Sequence, residues 1–152
     1  MRTMKPAVPC SDAFWNLSLA YRDAADAAYA LTRADDYTGL IVVPSVFLYF
    51  RCIELSLKSV LRCEGLPERE IAQTLGHRIS ALLQRAEEFP KFAALELFTK
   101  NRDIIDEFSD AYSDKWFEYP EDPPAAYPPL EKLRDLAYRV CDDIQTYERQ
   151  EA

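Results

Sequence analysis

Glycine is scarce in this chain, with 3 among 152 residues. Three isolated glycines cannot build the Gly-rich loops that cradle phosphates or dinucleotides, so that route to nucleotide binding is excluded. Histidine is scarcer still, since His77 is the only one. With no CxxC spacing and no ExxH pair, neither a structural zinc site nor a di-iron carboxylate bundle can be assembled, and the sequence calls for no metal and no cofactor. Basic residues are in deficit, 18 Lys and Arg against 26 Asp and Glu, for a net charge of -8. That balance disfavours broad electrostatic attraction to RNA, DNA or an anionic membrane, which needs a clustered basic surface. Long hydrophobic runs are also missing. The most apolar stretch, Gly39 to Phe50, is broken by Pro44 and too short to span a bilayer, and the first ten residues lack the apolar centre of a signal peptide. The expectation is a soluble cytoplasmic protein with four free thiols, Cys10, Cys52, Cys63 and Cys141. Cys52 and Cys63 lie about three helical turns apart, roughly 16 Å, and cannot bridge within one helix.

What is present is helical material. At 49% hydrophobic residues the chain holds enough for one substantial core, and 1–152 reads as a single domain with its core at about 11–148. The organising stretch is VFLYFRCIELSLKSVLRCE, Val46 to Glu64. At about 100° per residue Val46, Phe50, Ile53, Leu57, Val60 and Leu61 share one side, with Leu48, Cys52 and Leu55 roughly opposite. A helix apolar on most of its circumference is packed on two sides, so this is the expected hub. Glu54 sits at the edge of its apolar arc, where a bare carboxylate is expensive. Two partners are available: Lys58 at the favourable i,i+4 spacing, and His77 at the start of the next strong helix.

Around the hub, Ser11 and Asp12 start a helix to about Arg33 whose Leu17, Tyr21, Ala24, Ala25 and Ala28 form a small-residue stripe suited to close helix or subunit contacts. Gly65 ends the central helix, and Pro67 opens a short turn that Gly76 closes. A third helix is expected from His77 to about Glu88, and a fourth from about Lys91 to Asp110 carrying Ala94, Leu97, Phe98, Ile104, Ile105 and Phe108. WFEYPEDPPAAYPP, Trp116 to Pro129, reads as an ordered polyproline-like loop. The last helix starts at Pro128 or Pro129, turns Leu130, Leu133, Ala137, Val140 and Ile144 inward, and frays from Glu148. The fold class is all-α, an antiparallel four- to five-helix up-and-down bundle.

IELSLKSVL (Ile53 to Leu61) followed by LGHRISALLQRA (Leu75 to Ala86) resembles the paired signature of HEPN-type helical domains, a Glu-Leu-x-Leu-Lys helix before a Gly-His-x-Leu-x-x-Leu helix. The resemblance runs from about Phe14 to Ile144 and implies a helical bundle that often dimerises in toxin-antitoxin, antiphage and RNA-processing systems. Family RNases carry an Arg followed, after four to six residues, by a His. Here the nearest upstream arginine, Arg69, is separated from His77 by seven residues and by the break at Gly76, so that catalytic pair does not carry over. Glu54, Lys58, Gly76 and His77 do, as signature residues. The expected function is a non-catalytic, dimerising module that binds a partner protein, such as a nucleotidyltransferase or antitoxin, or a nucleotide-bearing ligand. The alternatives are an RNase toxin using Arg51, Arg62, His77, Arg78 or Arg85, and a purely structural dimerisation domain.

Overall fold

A computed structural model of the chain describes residues 12–32, 42–96, 98, 101–113 and 130–151. These residues are all-α: α1 (Asp12–Thr32), α2 (Val42–Cys63), α3 (Glu68–Glu70) with a π-helical turn (Ile71–Leu75), α4 (Ile79–Glu87), α5 (Pro90–Ala93), α6 (Arg102–Ser113) and α7 (Leu130–Glu151). No helix among them is long and apolar enough to cross a membrane.

The hub expected from the sequence is the hub observed. Residues 52–61 of α2 are all buried, on every face, and Leu57 is completely enclosed. A helix can bury its whole circumference only if elements surround it, and α2 lies against α1, α4 and α7. Residue pairs give the directions. Asp26 of α1 meets Tyr49 of α2 while Tyr21 meets Arg51, so these helices run antiparallel. Tyr29 meets Glu131 and Arg22 meets Tyr138, so α1 also runs antiparallel to α7.

The C-terminus of α2 is fixed by backbone chemistry. Gly65 adopts φ 92°, the Gly65 amide donates to the Arg62 carbonyl (3.0 Å) and the Leu66 amide to the Leu61 carbonyl (3.0 Å). This is the Schellman arrangement, and its hydrophobic partners Leu61 and Leu66 are both buried. Arg62 Nη1 then donates to the Leu66 carbonyl (2.7 Å), holding the turn from the side-chain end. Glycine is the residue this turn needs, because side chains with a Cβ rarely adopt that φ.

Several boundaries differ from the sequence reading. α4 begins at Ile79, so His77 belongs to the turn before it and not to the helix. The π-turn closes with the Gly76 amide donating to the Ile71 carbonyl (2.8 Å) at φ 57°, which delays the restart by two residues. The fourth helix is two pieces. The chain leaves α5 at Ala94 and takes a left-handed φ of 54° at Glu96, which no continuous helix can contain. Ala94 is therefore exposed, whereas Phe92 is buried and stacks on Phe98 with centroids 5.7 Å apart. α7 is helical to Glu151. The helix-one stripe is split, with Ala25 buried but Leu17 and Ala24 exposed. Cys52 and Cys141 are free, but Cys63 is disulfide-bonded. The spacing argument excluded a bridge within α2, and it placed no restriction on a bridge to a distant segment. The expected proline-rich loop at 116–129 lies outside the described residues, as do Cys10, Leu97 and, for its side chain, Phe108.

A polar knot ties the three long helices together. Asp26 of α1 accepts from Tyr49 Oη of α2 (2.5 Å), from Tyr138 Oη of α7 and from Arg134 Nε of α7 (3.2 Å). Burial acts to raise the Asp26 carboxyl, but the Tyr138 and Tyr49 hydroxyls and the Arg134 charge outweigh it and hold the group below the usual carboxylate range. A depressed carboxylate contributes stability that is present above its unfolded pKa, near 4, and is lost as pH falls through the lower folded value. Urea denaturation at pH 6 and at pH 3 should therefore show a drop in stability on acidification that is smaller in Asp26→Asn than in the native sequence.

Candidate functional site

The hub helix carries its one acidic side chain into the interior, and the site is built on that carboxylate. Glu54 is fully buried. Arg51 Nη1, one turn earlier on α2, donates to both of its oxygens at 3.1 and 2.9 Å. Lys58, one turn later and also buried, donates from Nζ to Oε1 at 2.7 Å. His77 Nδ1 reaches the same oxygen from the turn before α4, at 2.7 Å. Three donors from two elements thus converge on one carboxylate. Each is there because the sequence places it: i−3 and i+4 on one helix face, and a histidine brought in by the reversal at Gly76.

The His77 contact fixes a tautomer. A ring nitrogen within hydrogen-bonding distance of a carboxylate oxygen carries the proton, and an Nδ1–H donating to Glu54 satisfies this in both the imidazole and the imidazolium forms. The same nitrogen lies 2.9 Å from Arg51 Nη1. The carboxylate therefore holds a guanidinium and an imidazole side by side. Nε2, on the opposite side of the ring from Nδ1, is directed away from Glu54. The His77 side chain is 57% exposed and that of Arg51 24%, while Glu54 and Lys58 lie beneath them. The Tyr21 ring of α1 lies 5.8 Å from the Arg51 guanidinium carbon. The arrangement is a surface shelf, cationic at Arg51 with the His77 ring beside it, over a buried anion. Its chemistry suits recognition of an anionic oxygen, by charge and by donors already oriented.

Of the residues singled out in the sequence, Glu54, Lys58 and His77 meet in space, and Gly76 supplies the turn that delivers His77. Arg78 and Arg85 are engaged elsewhere, Arg78 Nη2 with the Thr74 carbonyl (2.7 Å) and Arg85 with Glu88. Arg62 is occupied at the end of α2. The residue that sequence reasoning undervalued is Arg51. Its signal was the i−3 spacing to Glu54, which had been read only for the lysine at i+4. A cleft of about 440 Å³ beside Phe92, Phe98 and Leu95 lies apart from this site; of its charged lining, Glu87, Glu96 and Arg102, the first and last are paired with each other. Among the described residues no group of His, Cys, Asp and Glu could hold a metal. Comparison of the chain with protein-family models, with curated proteins and with solved structures returned no match.

Removing the buried carboxylate leaves Lys58 and Arg51 without the charge that compensates their burial. Breaking such a cluster costs about 3–5 kcal/mol. Glu54→Ala should lose stability in that range in chemical denaturation, and Glu54→Gln, which keeps an acceptor for the Arg51 and Lys58 donors, should lose less. Equal losses for the two variants would show that the hydrogen bonds to this side chain contribute nothing.

Proposed function

We propose that the chain is a non-catalytic, HEPN-like helical module that pairs with a second copy of itself and binds the phosphate of a nucleotide-bearing ligand on the Arg51–His77 shelf. The observation that carries this reading is the partly exposed Arg51 guanidinium, held beside the His77 ring (Nη1 to Nδ1 2.9 Å) over the buried Glu54 that anchors both. A guanidinium and an imidazole oriented by a common anchor lose little freedom on meeting an oxyanion, which is the preorganisation that phosphate recognition rewards. The net charge of -8 points to a small ligand met at one local site and not to a long nucleic-acid track. Modules of this kind work beside a partner such as a nucleotidyltransferase or an antitoxin, and that setting belongs to the same proposal.

Pairing is supported by α1. Ala13, Leu17, Ala20, Ala24, Ala27 and Leu31 are all exposed, at alternating steps of four and three residues along one helix. Leu17 and Leu31 are 45% and 43% exposed. Alternating spacing of this kind is the seam of a helix that packs lengthwise on another. The two leucines are seven residues to either side of Ala24, so a two-fold axis there would set Leu17 of one copy against Leu31 of the other, as an isologous contact requires.

One specific observation favours a second reading. The fold brings an arginine against the sole histidine although no Arg-x4-6-His segment is present, and that pair beside a buried carboxylate would suit acid-base cleavage of RNA.

Two measurements test these readings. In calorimetric titrations, adenosine monophosphate should bind where adenosine does not, and Arg51→Ala should weaken binding by about tenfold or more, the value of a lost charge-assisted hydrogen bond. Absence of phosphate-dependent binding rejects the ligand reading, and RNA cleavage by the purified protein that His77→Ala abolishes selects the RNase. In sedimentation equilibrium the native chain should be a dimer at micromolar concentration, and Leu17→Glu should give the 17.5 kDa monomer. A native monomer ends the pairing proposal.

A further inference from the structure

A second chemically active pair lies inside the bundle, away from the shelf. Cys52 of α2 and Cys141 of α7 face each other with their sulfurs 3.5 Å apart, both buried and both free. A disulfide needs about 2.05 Å between sulfurs, so closing the bond takes a shift of about 1.5 Å shared between two side chains. The surroundings are more polar than those of an ordinary core cysteine. Arg22 Nε and Ser56 Oγ are buried polar atoms with no hydrogen-bond partner of ordinary geometry among the described residues. Both act on the Cys141 sulfur. The Cys52 thiol, by hydrogen bonding to it, is the largest influence holding the Cys141 thiol below its usual range; burial opposes this, and the Arg22 charge and the Ser56 hydroxyl add to the lowering. Cys52 is pushed the other way, first by the same hydrogen bond and then by burial. Of the two sulfurs, Cys141 is therefore the one on which a thiolate is favoured, and Cys52 the one that keeps its proton. Neighbouring cations and donors are what convert a cysteine from a packing residue into a nucleophile. A negative charge on Cys141 would give these two buried donors an acceptor.

We infer that Cys52 and Cys141 form a reversible oxidation site in which a peroxide converts the pair to a disulfide that staples α2 to α7. The Cys141 thiolate attacks one peroxide oxygen, the O–O bond breaks, and hydroxide leaves as a sulfenic acid forms on Cys141. The Cys52 sulfur then attacks the sulfenic sulfur, its proton leaves with the displaced hydroxyl as water, and the S–S bond forms. Across both steps two thiols and one hydrogen peroxide give one disulfide and two waters. Peroxide is small and uncharged, and its entry needs only local opening of the bundle. The staple joins residues 89 positions apart, so it restricts a long loop of the unfolded chain and raises thermal stability.

The test treats the folded native protein with hydrogen peroxide, blocks remaining thiols in denaturant with N-ethylmaleimide, and maps the peptides by mass spectrometry. The expected result is a linked pair of peptides carrying Cys52 and Cys141, reversed by dithiothreitol and accompanied by a Tm several degrees higher. Cys52→Ala should remove the link and leave a Cys141 sulfenic acid that dimedone captures. Recovery of both cysteines as maleimide adducts, linkage of Cys141 to any other cysteine, or a 52–141 link that forms only after urea unfolding overturns the inference. The native-protein measurement decides the matter even where the variant fails to fold.

Discussion

The burial of one carboxylate is the constraint on which the centre of this molecule depends. Glu54 lies on a helix whose neighbouring positions are filled with leucine, isoleucine and valine, and an ionised side chain there is affordable only with charged donors in contact. Three constraints follow from that requirement. Arg51 and Lys58 must occupy positions one turn away on the same face, the chain must reverse at Gly76, and His77 must stand clear of α4 so that its ring reaches back to α2. The surface shelf is the outward side of the same arrangement. Arg51 and His77 are exposed where they are because Glu54 is buried where it is.

A second anchor has a different character. Asp26 gathers two tyrosines and an arginine from α2 and α7 at the partly exposed edge of the three-helix contact. The two carboxylates divide the labour along α2: Asp26 fixes the register of α1 and α7 near Tyr49, and Glu54 fixes the approach of the turn before α4 one turn further on. The Cys52–Cys141 contact joins α2 and α7, and Arg22 of α1 acts on the Cys141 sulfur. Register errors between α1, α2 and α7 would therefore disturb the Asp26 and Cys52–Cys141 clusters together.

Much of this was legible in the sequence because it rests on periodicity. The central role of α2 follows from apolar residues on its whole circumference, and the inward set of α7 follows from the spacing of Leu130, Leu133, Ala137, Val140 and Ile144, all buried. Glu54, Lys58 and His77 were legible because a carboxylate on an apolar arc demands partners and few are available. Arg51 was harder, since an i−3 arginine looks like any solvated charge until the turn after α3 brings His77 beside it. The Asp26 knot and the Cys52–Cys141 pair were not legible at all. Both join residues that lie far apart in sequence, and side chains of α1, α2 and α7 declare no common contact in a one-dimensional pattern. The break between α5 and α6 was missed because a left-handed residue at Glu96 carries no mark in the sequence, where glycine usually signals such a turn.

The claim that Glu54 organises this centre is tested most directly by a double-mutant cycle between Glu54→Gln and Lys58→Met, read by urea denaturation. If the two side chains are one electrostatic unit, their effects are non-additive, with a coupling of about 1–3 kcal/mol. Effects that add to within about 0.5 kcal/mol would contradict the account, because residues acting independently could not hold Arg51 and His77 in place through a shared carboxylate.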